Sequence, residues 1–352
     1  MKILLLSRYG NLGASSRVRF YQYIPYLADH GIDVTVANLF ENDYLEDLYG
    51  GKSRRFPSII GAYIRRLSYL LKSNQFDLLW VQSEILPWLP AWGETILYCW
   101  GIPYVVDYDD AIFHRYNKHP SLIVRAMLGG KIDTVMHRAA LVIVGNEYLG
   151  NFAHKAGAKR VEHIPSVVDL NRYNSALQPD NPVFTIGWIG SPVTSKYLHL
   201  IQPALVEVCE NRRGRLILVG SEKLDLDSVP IEIHPWSEET EVAEIKCFDI
   251  GIMPLPDEAW AKGKCGYKLI QYMACARPVI ASSVGAAREI IEDTSNGFLA
   301  TTLKDWVRAF CMLHDDRRLR ERMGKAGRIK VERQYSLQVI APQLRSLLMS
   351  IG

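Results

Sequence analysis

The 352-residue sequence has few cysteines and no close pair of them. Its six cysteines are scattered along the chain, and none belongs to a CxxC pair. Zinc ribbons and disulfide frameworks depend on such spacings, so the pattern argues against both. A long chain with isolated thiols is typical of the reducing cytosol, and we expect a cytoplasmic protein.

The sequence also lacks an apolar stretch of the ~20 residues that a bilayer-spanning helix needs. The nearest approach, residues 85–106, is interrupted by three prolines, two glycines and Glu94. The apolar start of the chain is short and ends at Arg8. It is therefore interpreted as a buried first strand rather than a signal peptide.

Several motifs of catalysis and ligand binding are missing as well. The sequence contains no Walker loop and no G-x-S-x-G nucleophile elbow. Its first glycine turn is not GxGxxG, and no acidic residue follows the second apolar run near Asn38, so we expect no dinucleotide cofactor. The net charge of +3 calls for no nucleic-acid partner.

The chain does have short apolar runs that alternate with amphipathic segments along its whole length. Hydrophobic content of 48% and charged content of 22% are those of a folded globular protein, and the length suits about two domains. The runs are residues 2–6, 34–38, 78–82, 104–106, 141–144 and 161–164, then 183–189, 216–219, 231–233, 250–254, 279–282 and 298–300. This pattern predicts an α/β protein of two Rossmann-like doubly wound domains facing across a cleft.

A stretch rich in proline and asparagine, residues 165–182, separates the two sets of runs and has the composition of a linker. A last helical run, Ser336–Met349, begins at a serine that is expected to cap it.

The turn after the first apolar run holds Gly10 and Gly13, followed by serines that are expected to cap the next helix. Glycines at such a turn let a ligand approach the backbone closely. Arg17 and Arg19 lie near the positive end of that helix. They are either solvated helix charges or cleft residues.

Three aspartates, Asp107, Asp109 and Asp110, follow the predicted strand at residues 104–106. Functional residues cluster at the carboxyl ends of strands in this architecture. The aspartates are candidates for a divalent metal, for capping the next helix, or for holding hydroxyls of a polyol substrate. No histidine or further carboxylate is spaced to complete a metal site, so we favour a substrate role for one aspartate and a capping role for another.

Two features of the second half are candidates for contacts with a ligand. The strand at 183–189 ends in a glycine-rich loop that runs to Lys196, at a strand end expected to face the cleft, so this lysine is a candidate for binding an anion. Trp236 follows the run 231–233 and either stacks on a nucleobase or packs in the core.

A second loop, GKCGYKLIQYMA at residues 263–274, carries the strongest local signal. A glycine-containing loop that enters a helix presents free N–H groups to a phosphate, and Lys264 and Lys268 add positive charge. Pro278 then leads into the apolar strand 279–282. The alternative is an ordinary αβ unit with a solvated basic turn.

Taken together, these segments resemble the group-1 retaining glycosyltransferases, which are glycosyltransferase family 4-like proteins with the two-domain GT-B fold. The resemblance covers nearly the whole chain. Its best local marks are IPSVVD at residues 164–169 and the segment from Gln271 to Ser282, and residues 285–289 and 296–299 continue it.

The resemblance implies an N-terminal acceptor domain at residues 1–170, a hinge linker at 171–182 and a C-terminal nucleotide-sugar domain at 183–335, with residues 336–352 returning to the first domain. It implies a nucleoside-diphosphate sugar as co-substrate and a glycan, lipid-linked or small-molecule acceptor. No cofactor is implied.

The resemblance also assigns residues to a site. It places Gly13 beside the donor phosphates, Asp109 where many members have a histidine near the transferred sugar, and Lys196 at a lysine that binds the diphosphate. The expected catalytic residues are Asp109, Lys196 and Lys268. The expected donor-binding residues are Gly13, Ser191, Trp236, Lys264, Cys265, Gly266, Tyr267 and Gln271, and the acceptor-side residues are Arg17, Arg19 and Asp110.

Three positions depart from the family pattern. Ser191 replaces an arginine, and Gly263 and Gln271 replace two glutamates separated by seven residues. Gln271 keeps the ability to hydrogen-bond ribose hydroxyls. Lys264 or Lys268 is a candidate to replace the charge of the missing arginine.

The resulting hypothesis is a metal-independent glycosyltransferase that retains the anomeric configuration by a front-face mechanism. Lysines and helix N–H groups aimed at the leaving diphosphate would lower the barrier. Two alternatives stay open: a non-catalytic sugar-nucleotide-binding or scaffold protein derived from a transferase, and a UDP-sugar epimerase of the same fold.

A basic, apolar segment bears on the acceptor. Residues 52–56, KSRRF, precede an apolar run at 59–71 that contains Arg65 and Arg66. The segment either lies on an anionic membrane at the inner face, reaching a lipid-linked glycan, or packs against the core with a basic outer face.

Overall fold

The computed structural model describes residues 1–49, 56–174, 179 and 181–352. The basic residues of the segment 52–55, and residues 175–178 and 180 of the expected linker, lie outside the described residues.

The described residues form two compact units. The first comprises Met1–Ser166 and Ile340–Gly352, and the second comprises Val167–Val339. Residues 167–174 belong to the second unit because their contacts lie there. The Val168 amide donates to the Tyr335 carbonyl at 3.1 Å, and the Tyr173 hydroxyl donates to Glu241 at 2.6 Å.

The first unit contains a six-stranded parallel sheet of order β2-β1-β3-β4-β5-β6. Its strands are β1 Lys2–Leu6, β2 Asp33–Val36, β3 Leu78–Gln82, β4 Tyr104–Tyr108, β5 Leu141–Val144 and β6 Val161–His163. The central strands β3, β4 and β5 are buried throughout, which explains why their sequences are apolar except at Gln82 and Asp107.

The second unit contains a matching parallel sheet of order β12-β11-β10-β7-β8-β9. Its strands are β7 Phe184–Ile189, β8 Gly214–Val219, β9 Ile231–His234, β10 Ile250–Met253, β11 Val279–Ser282 and β12 Gly297–Ala300. The predicted pair of six-stranded, doubly wound sheets is therefore confirmed, with strand ends shifted by one or two residues.

Helices cover both sheets. The helices before the second sheet are α1 Ala14–Arg19, α2 Ile24–Asp29, α3 Asn42–Tyr49, α4 Phe56–Leu71, α5 Trp92–Cys99, α6 His114–Asn117, α7 Leu122–Leu128, α8 Lys131–Arg138 and α9 Glu147–Lys155. Those that follow are α10 Pro192–Ser195, α11 Gln202–Arg212, α12 Glu241–Lys246, α13 Ala259–Lys262, α14 Tyr267–Ala274, α15 Ala287–Ile290, α16 Leu303–Asp315, α17 Arg317–Gln334 and α18 Leu337–Met349. None of the helices in the described ranges is long and apolar enough to cross a bilayer.

Two glycines of the second sheet make room for aromatic rings, and one of these rings, Tyr272, belongs to α14. A Cβ at Gly251 of β10 would be 2.2 Å from the ring of Tyr272, and one at Gly187 of β7 would be 1.9 Å from the ring of Phe248. The Tyr272 hydroxyl in turn accepts a hydrogen bond from the Ile189 amide at 2.9 Å. The contacts of Tyr272 thus fix the position of α14 relative to the end of β7.

Two local expectations are wrong. Gly13, not a serine, is the N-cap residue of α1, because Ser15 and Ser16 lie inside the helix. The Ser336 hydroxyl donates to the Glu332 carbonyl at 3.1 Å, so it bonds back to α17 instead of capping α18.

Candidate active site

The strand order of the second sheet reverses between β7 and β10, which pair directly. The chain leaves β7 toward β8 on one side and later returns to β10 on the other. Ligands of open α/β sheets bind in the crevice that such a reversal opens beyond the strands' carboxyl ends. The segments 190–196 and 254–266 follow β7 and β10, so both loops nominated from the sequence meet at this point.

The loop 263–266 enters α14 as predicted. Gly266 has a φ of +67°, a left-handed conformation that favours glycine. A Cβ there would also lie 2.5 Å from Ile290 of α15. Gly285 packs closely against the residue before this loop, because a Cβ on Gly285 would be 2.7 Å from the Lys262 carbonyl oxygen. Cys265 and Gly266 are buried, and Lys264 and Tyr267 are partly buried.

Lys268, on the first turn of α14, joins the two loops. Its Nζ lies 3.9 Å from the centre of the Trp188 ring and 3.2 Å from Thr194 Oγ1. Gly190 makes room for it, because a Cβ at that position would be 2.4 Å from Nζ. Desolvation, together with the charge of Lys264, holds the pKa of Lys268 well below its ordinary value. An anion placed beside this group would raise its pKa again.

Lys196 and Ser191 occupy the same β7 loop. Ser191 is the N-cap residue of α10, and its carbonyl accepts hydrogen bonds from the amide and the hydroxyl of Thr194, at 3.0 and 3.1 Å. Lys196 follows α10 directly, is exposed, and has its Nζ 5.6 Å from the centre of the Tyr197 ring. The structure therefore ties Lys268 to this loop through Thr194, while Lys196 stands at the solvent side of it.

Gln271, one turn further along α14, is buried and held by side chains from two other segments. Its amide donates to the Tyr173 hydroxyl at 2.7 Å and to Glu241 at 3.3 Å. The Trp236 indole N–H also donates to Glu241, at 2.9 Å. Gln271 and Trp236, which were nominated separately, are thus brought together by one carboxylate.

Glu241 itself was missed from the sequence. It is 2% exposed and accepts from Gln271, Trp236 and Tyr173, with Arg172 at 3.2 Å as its cation. Nothing in the local sequence distinguishes it from a solvated residue in the first turn of α12. The feature that could have identified Glu241 was its position after β9 and Trp236, at the carboxyl ends of the strands.

The first sheet has its own reversal, between β1 and β3. The turn after β1 contains Gly13, whose added Cβ would lie 2.6 Å from Tyr9 Cβ, so the backbone there tolerates no side chain without movement. Arg17 reaches back over this turn, donating from Nη1 to the Asn11 carbonyl at 3.0 Å.

Arg19 and Asp107 form a buried ion pair. Arg19 donates to both carboxylate oxygens, at 2.8 and 3.1 Å, and to the Ile164 carbonyl at 2.8 Å. Both side chains are 2% exposed. Burial raises the pKa of Asp107 to about 6 against the opposing effect of Arg19. The strand β4 continues through Tyr108, so the expectation that Asp107 follows the strand is wrong: its counterion lets it stay inside the sheet.

Asp109 and Asp110 do follow β4 and are partly buried. Asp110 Oδ1 accepts from the Ala111 amide at 3.0 Å and so stabilises the turn after the strand. It is not the cap of α6, whose N-cap residue is Phe113. Asp109 is close enough to Asp107 for its charge to raise the pKa of that buried carboxyl.

A second cluster that the sequence did not reveal lies beyond β3. Glu84 is 4% exposed and accepts from Lys131 Nζ at 2.5 Å and from the Tyr116 hydroxyl at 2.8 Å. Arg115 Nη1 approaches it to 3.9 Å, is buried, and makes no hydrogen bond within the described residues.

Arg8, at the end of β1, faces the same cluster. Burial acts to lower the pKa of Arg8, but Tyr9, Glu84 and Tyr116 raise it above its ordinary value. Its Nε is buried and has no hydrogen-bond partner in the described part of the chain. Three cations, Lys131, Arg115 and Arg8, therefore lie around Glu84, and the buried Glu94 is a second carboxylate close enough to interact with Lys131 and Glu84. The cations still exceed the carboxylates at the carboxyl ends of β1 and β3.

Across the described ranges, no group of three His, Cys, Asp or Glu residues is arranged to hold a metal ion.

Comparison with known proteins gives matches to both units. The family model Glycosyltransferase Family 4 matches residues 17–172, and the model Glycosyl transferases group 1 matches residues 183–316. The capsular polysaccharide biosynthesis glycosyltransferase CapM of Staphylococcus aureus is 26% identical over an alignment of 180 residues that covers 47% of this chain. The match covers 46% of CapM, so it spans about half of that relative.

Solved structures match over nearly the full chain. Sucrose-phosphate synthase from Thermosynechococcus elongatus has a TM-score of 0.72 at 15% identity, covering 99% of this chain and 98% of its own. HepE from Anabaena, solved in complex with UDP-glucose, has a TM-score of 0.72 at 18% identity, covering 99% and 100%. WaaG, a glycosyltransferase of lipopolysaccharide biosynthesis, has a TM-score of 0.71 at 14% identity, covering 99% of both chains.

At these identities the structural likeness establishes the fold, which is GT-B. The two family models establish the class, since they describe one kind of enzyme and cover the two units in turn. The chain is therefore a member of the group 1, family 4 glycosyltransferases.

Proposed function

We propose that the protein transfers a glycosyl group from a nucleoside-diphosphate sugar, bound by the second unit, to an acceptor bound by the first. The observation that carries this proposal is the placement of Lys268 at the strand reversal. Its described neighbours are Trp188, Thr194 and Lys264, and none of them is an anion. A diphosphate lying across the start of α14 supplies the missing negative charge.

Lys268 then contributes to the chemistry. Charge builds on the leaving diphosphate as the glycosidic bond breaks, so a positioned cation interacts more strongly with the transition state than with the intact donor. Lys268 is partly buried and hydrogen-bonded to Thr194, so little reorganisation is needed when that charge develops. We assign supporting roles to Lys264 on the loop and to Lys196 at the solvent side.

The nucleoside is assigned to the neighbouring cluster. Gln271 stands where the family has a glutamate, and both its amide and the Trp236 indole are oriented by Glu241. The family has this carboxylate on the helix that corresponds to α14. In this chain the carboxylate belongs to Glu241 of α12, which accepts a hydrogen bond from the Gln271 amide. We assign ribose hydroxyls to Gln271 and the base to the face of Trp236.

Retention of the anomeric configuration follows as part of the proposal. We place Asp109 beside the transferred sugar, without a covalent role, and let the leaving phosphate take the acceptor's proton. The anomeric proton coupling of the purified product, measured by NMR, distinguishes retention from inversion.

The cluster at Glu84 bears on the acceptor. Arg8 and Arg115 present buried N–H groups at the end of the first sheet, and the local charge is positive. This favours an acceptor that carries a phosphate or carboxylate near the accepting hydroxyl. Arg115→Gln is expected to raise KM for such an acceptor and to leave KM for a neutral analogue unchanged.

A thermal-shift screen of UDP-, GDP-, ADP- and dTDP-sugars tests donor binding. At 100 times Kd, a ligand that binds only the folded state adds about 2.7 kcal/mol to stability. Stabilisation by one nucleotide series supports the proposal, and stabilisation by none of them contradicts it. Binding without nucleoside-diphosphate release in the presence of acceptors would favour the non-catalytic alternative.

A further inference from the structure

Exposed large apolar side chains are concentrated on one part of the first unit. They come from α4, from the loop after β3 with α5, and from α7, and each is between 40% and 74% exposed. They are Ile60, Ile64, Leu67, Leu71, Trp88, Trp92, Ile96, Trp100, Leu122, Ile123 and Met127, which together we name the apolar face.

The side chains of the apolar face form stripes at helical spacing. On α4 the exposed residues recur every three or four positions from Ile60 to Leu71, while Ala62, Arg66 and Leu70 on the other side are buried. On α5 they recur every four positions, at Trp92, Ile96 and then Trp100 at the C-cap. Each of these two helices therefore buries one face and presents an apolar stripe to solvent.

The contributing elements are neighbours. A Cβ at Gly93 of α5 would touch Leu70 of α4 at 3.3 Å. The Tyr63 hydroxyl of α4 donates to the Pro87 carbonyl at 2.6 Å. Next to Pro87, the ring of Trp88 meets the edge of His119, which precedes α7, with centroids 5.8 Å apart. These contacts make α4, the loop after β3 with α5, and the segment before α7 neighbours. Their exposed apolar side chains therefore form one patch instead of isolated apolar positions.

The segments that carry α4 and α7 contain basic and no acidic residues, at 56–76 and 111–132. Arg65 is exposed and pairs with Glu41 of the preceding segment at 3.4 Å, while Arg66 and Lys131 are buried. Lys72 and Lys118 are exposed. A second copy of this chain would bring like charges together around the same patch, which disfavours a dimer there.

We propose that the apolar face docks on an anionic lipid bilayer. Tryptophan rings suit the boundary between headgroups and acyl chains, and the isoleucine and leucine side chains enter the acyl region. Basic side chains at the margin bind the anionic headgroups. The docking surface lies wholly within the first unit and does not depend on the proposed transfer reaction.

The test is co-sedimentation of the full chain with vesicles, in the absence of any nucleotide-sugar. Vesicles of phosphatidylcholine alone are compared with vesicles containing 30 mol% phosphatidylglycerol, on the order of a strongly anionic leaflet. We expect binding to the anionic vesicles, weakening with added salt, and a blue shift of tryptophan emission on binding. Quenching by brominated lipids is expected, since Trp88, Trp92 and Trp100 enter the bilayer.

Matched variants test whether the apolar face, and not another part of the chain, binds the vesicles. The double variant Trp92→Gln, Trp100→Gln and the variant Ile64→Gln are expected to lose about tenfold or more in partitioning. Met312→Gln, on exposed α16 surface of the second unit, is the control and is expected to bind as wild type. All variants should keep the wild-type melting temperature because the altered side chains are exposed.

Three results would overturn the proposal. One is wild-type protein that stays in the supernatant with both vesicle types. Another is unchanged binding by the face variants. The third is a wild-type dimer that these variants dissociate while no lipid binding is observed, which would make the face a contact between copies.

Discussion

The ammonium group of Lys268 lies 3.9 Å from the centre of the Trp188 ring, directly over the position where Gly190 has no side chain. The cation is held against an aromatic face at the end of β7 before any ligand is bound. We propose that this arrangement lowers the stability of the unliganded protein and prepares the site for a diphosphate.

Lys268→Met is expected to stabilise the unliganded protein at neutral pH and to weaken donor binding. Partial burial of a charge without an anion is unfavourable, so its removal should gain on the order of 1 kcal/mol, or ~2–4 °C in melting temperature. Loss of a charge-assisted contact should weaken donor binding by roughly 1.5–3 kcal/mol. The exposed Lys304→Met is the control in both melting and calorimetric binding. Unchanged donor affinity would remove Lys268 from the site.

The stability gain should depend on pH in a defined direction. The pKa of Lys268 is below its ordinary value of 10.5, so the unfolded chain binds more protons than the folded one between the two values. Wild-type stability therefore rises with pH across that window. The advantage of Lys268→Met is expected to be greatest at neutral pH and to vanish as the pH nears the ordinary value, which melting curves in a pH series will measure.

Donor binding is expected to take up protons. An anion beside Lys268 raises its pKa, so the bound state holds a proton that the free state lacks at intermediate pH. Calorimetric titration with the nucleoside diphosphate in two buffers of different ionisation enthalpy measures this uptake. Wild type should show it and Lys268→Met should not. Equal proton uptake by both proteins would assign it to another group.

Glu241→Gln is expected to raise the donor KM more than it lowers kcat, because Glu241 positions Gln271 and Trp236 without touching the reacting atoms. Trp236 and Gln271 donate to one carboxylate oxygen of Glu241, and Tyr173 and Arg172 donate to the other. The substituted amide keeps the size of the side chain, but its nitrogen replaces one of these acceptors and opposes two donors. Discrimination between nucleobases should also fall. Glu244→Gln, on the same helix and bonded to His234, is the control. A lower melting temperature together with a wild-type donor KM would show that the cluster has only a structural role.

The ion pair of Arg19 and Asp107 should behave as a structural element. Arg19→Met leaves a buried carboxylate without its cation and is expected to cost about 3–5 kcal/mol in unfolding free energy. Pairing it with Asp107→Asn should recover part of the loss, measured by denaturant unfolding of the two single variants and the double variant. Full stability of Arg19→Met with impaired acceptor use would restore Arg19 to the acceptor side.

The sequence predicted the fold well because burial on both faces leaves a direct mark. Runs such as Leu78–Gln82 and Val279–Ser282 are apolar at nearly every position, and the structure has strands with the same bounds. The start of α14 was also predictable from the sequence, because Gly266, the N-cap residue, adopts a left-handed conformation that favours glycine.

The sequence did not predict contacts that join distant segments. Gln271 bonds to Tyr173 across 98 positions and to Glu241 across 30, and Arg19 bonds to Asp107 across 88. Asp107 was predicted to follow the strand that ends at Val106, because its counterion, Arg19, is far away in the sequence. Composition and spacing report burial and turn geometry, but they do not report which buried charges pair.

The most direct test of the account is nucleoside-diphosphate release from a panel of nucleotide-sugars, with phosphorylated and neutral glycan acceptors, by the wild-type chain and Lys268→Met. The account predicts release from one nucleotide series by wild type, and its loss in a variant whose melting temperature is unchanged or raised. Release at the wild-type rate by Lys268→Met, or no release by wild type from any sugar that binds, would contradict it.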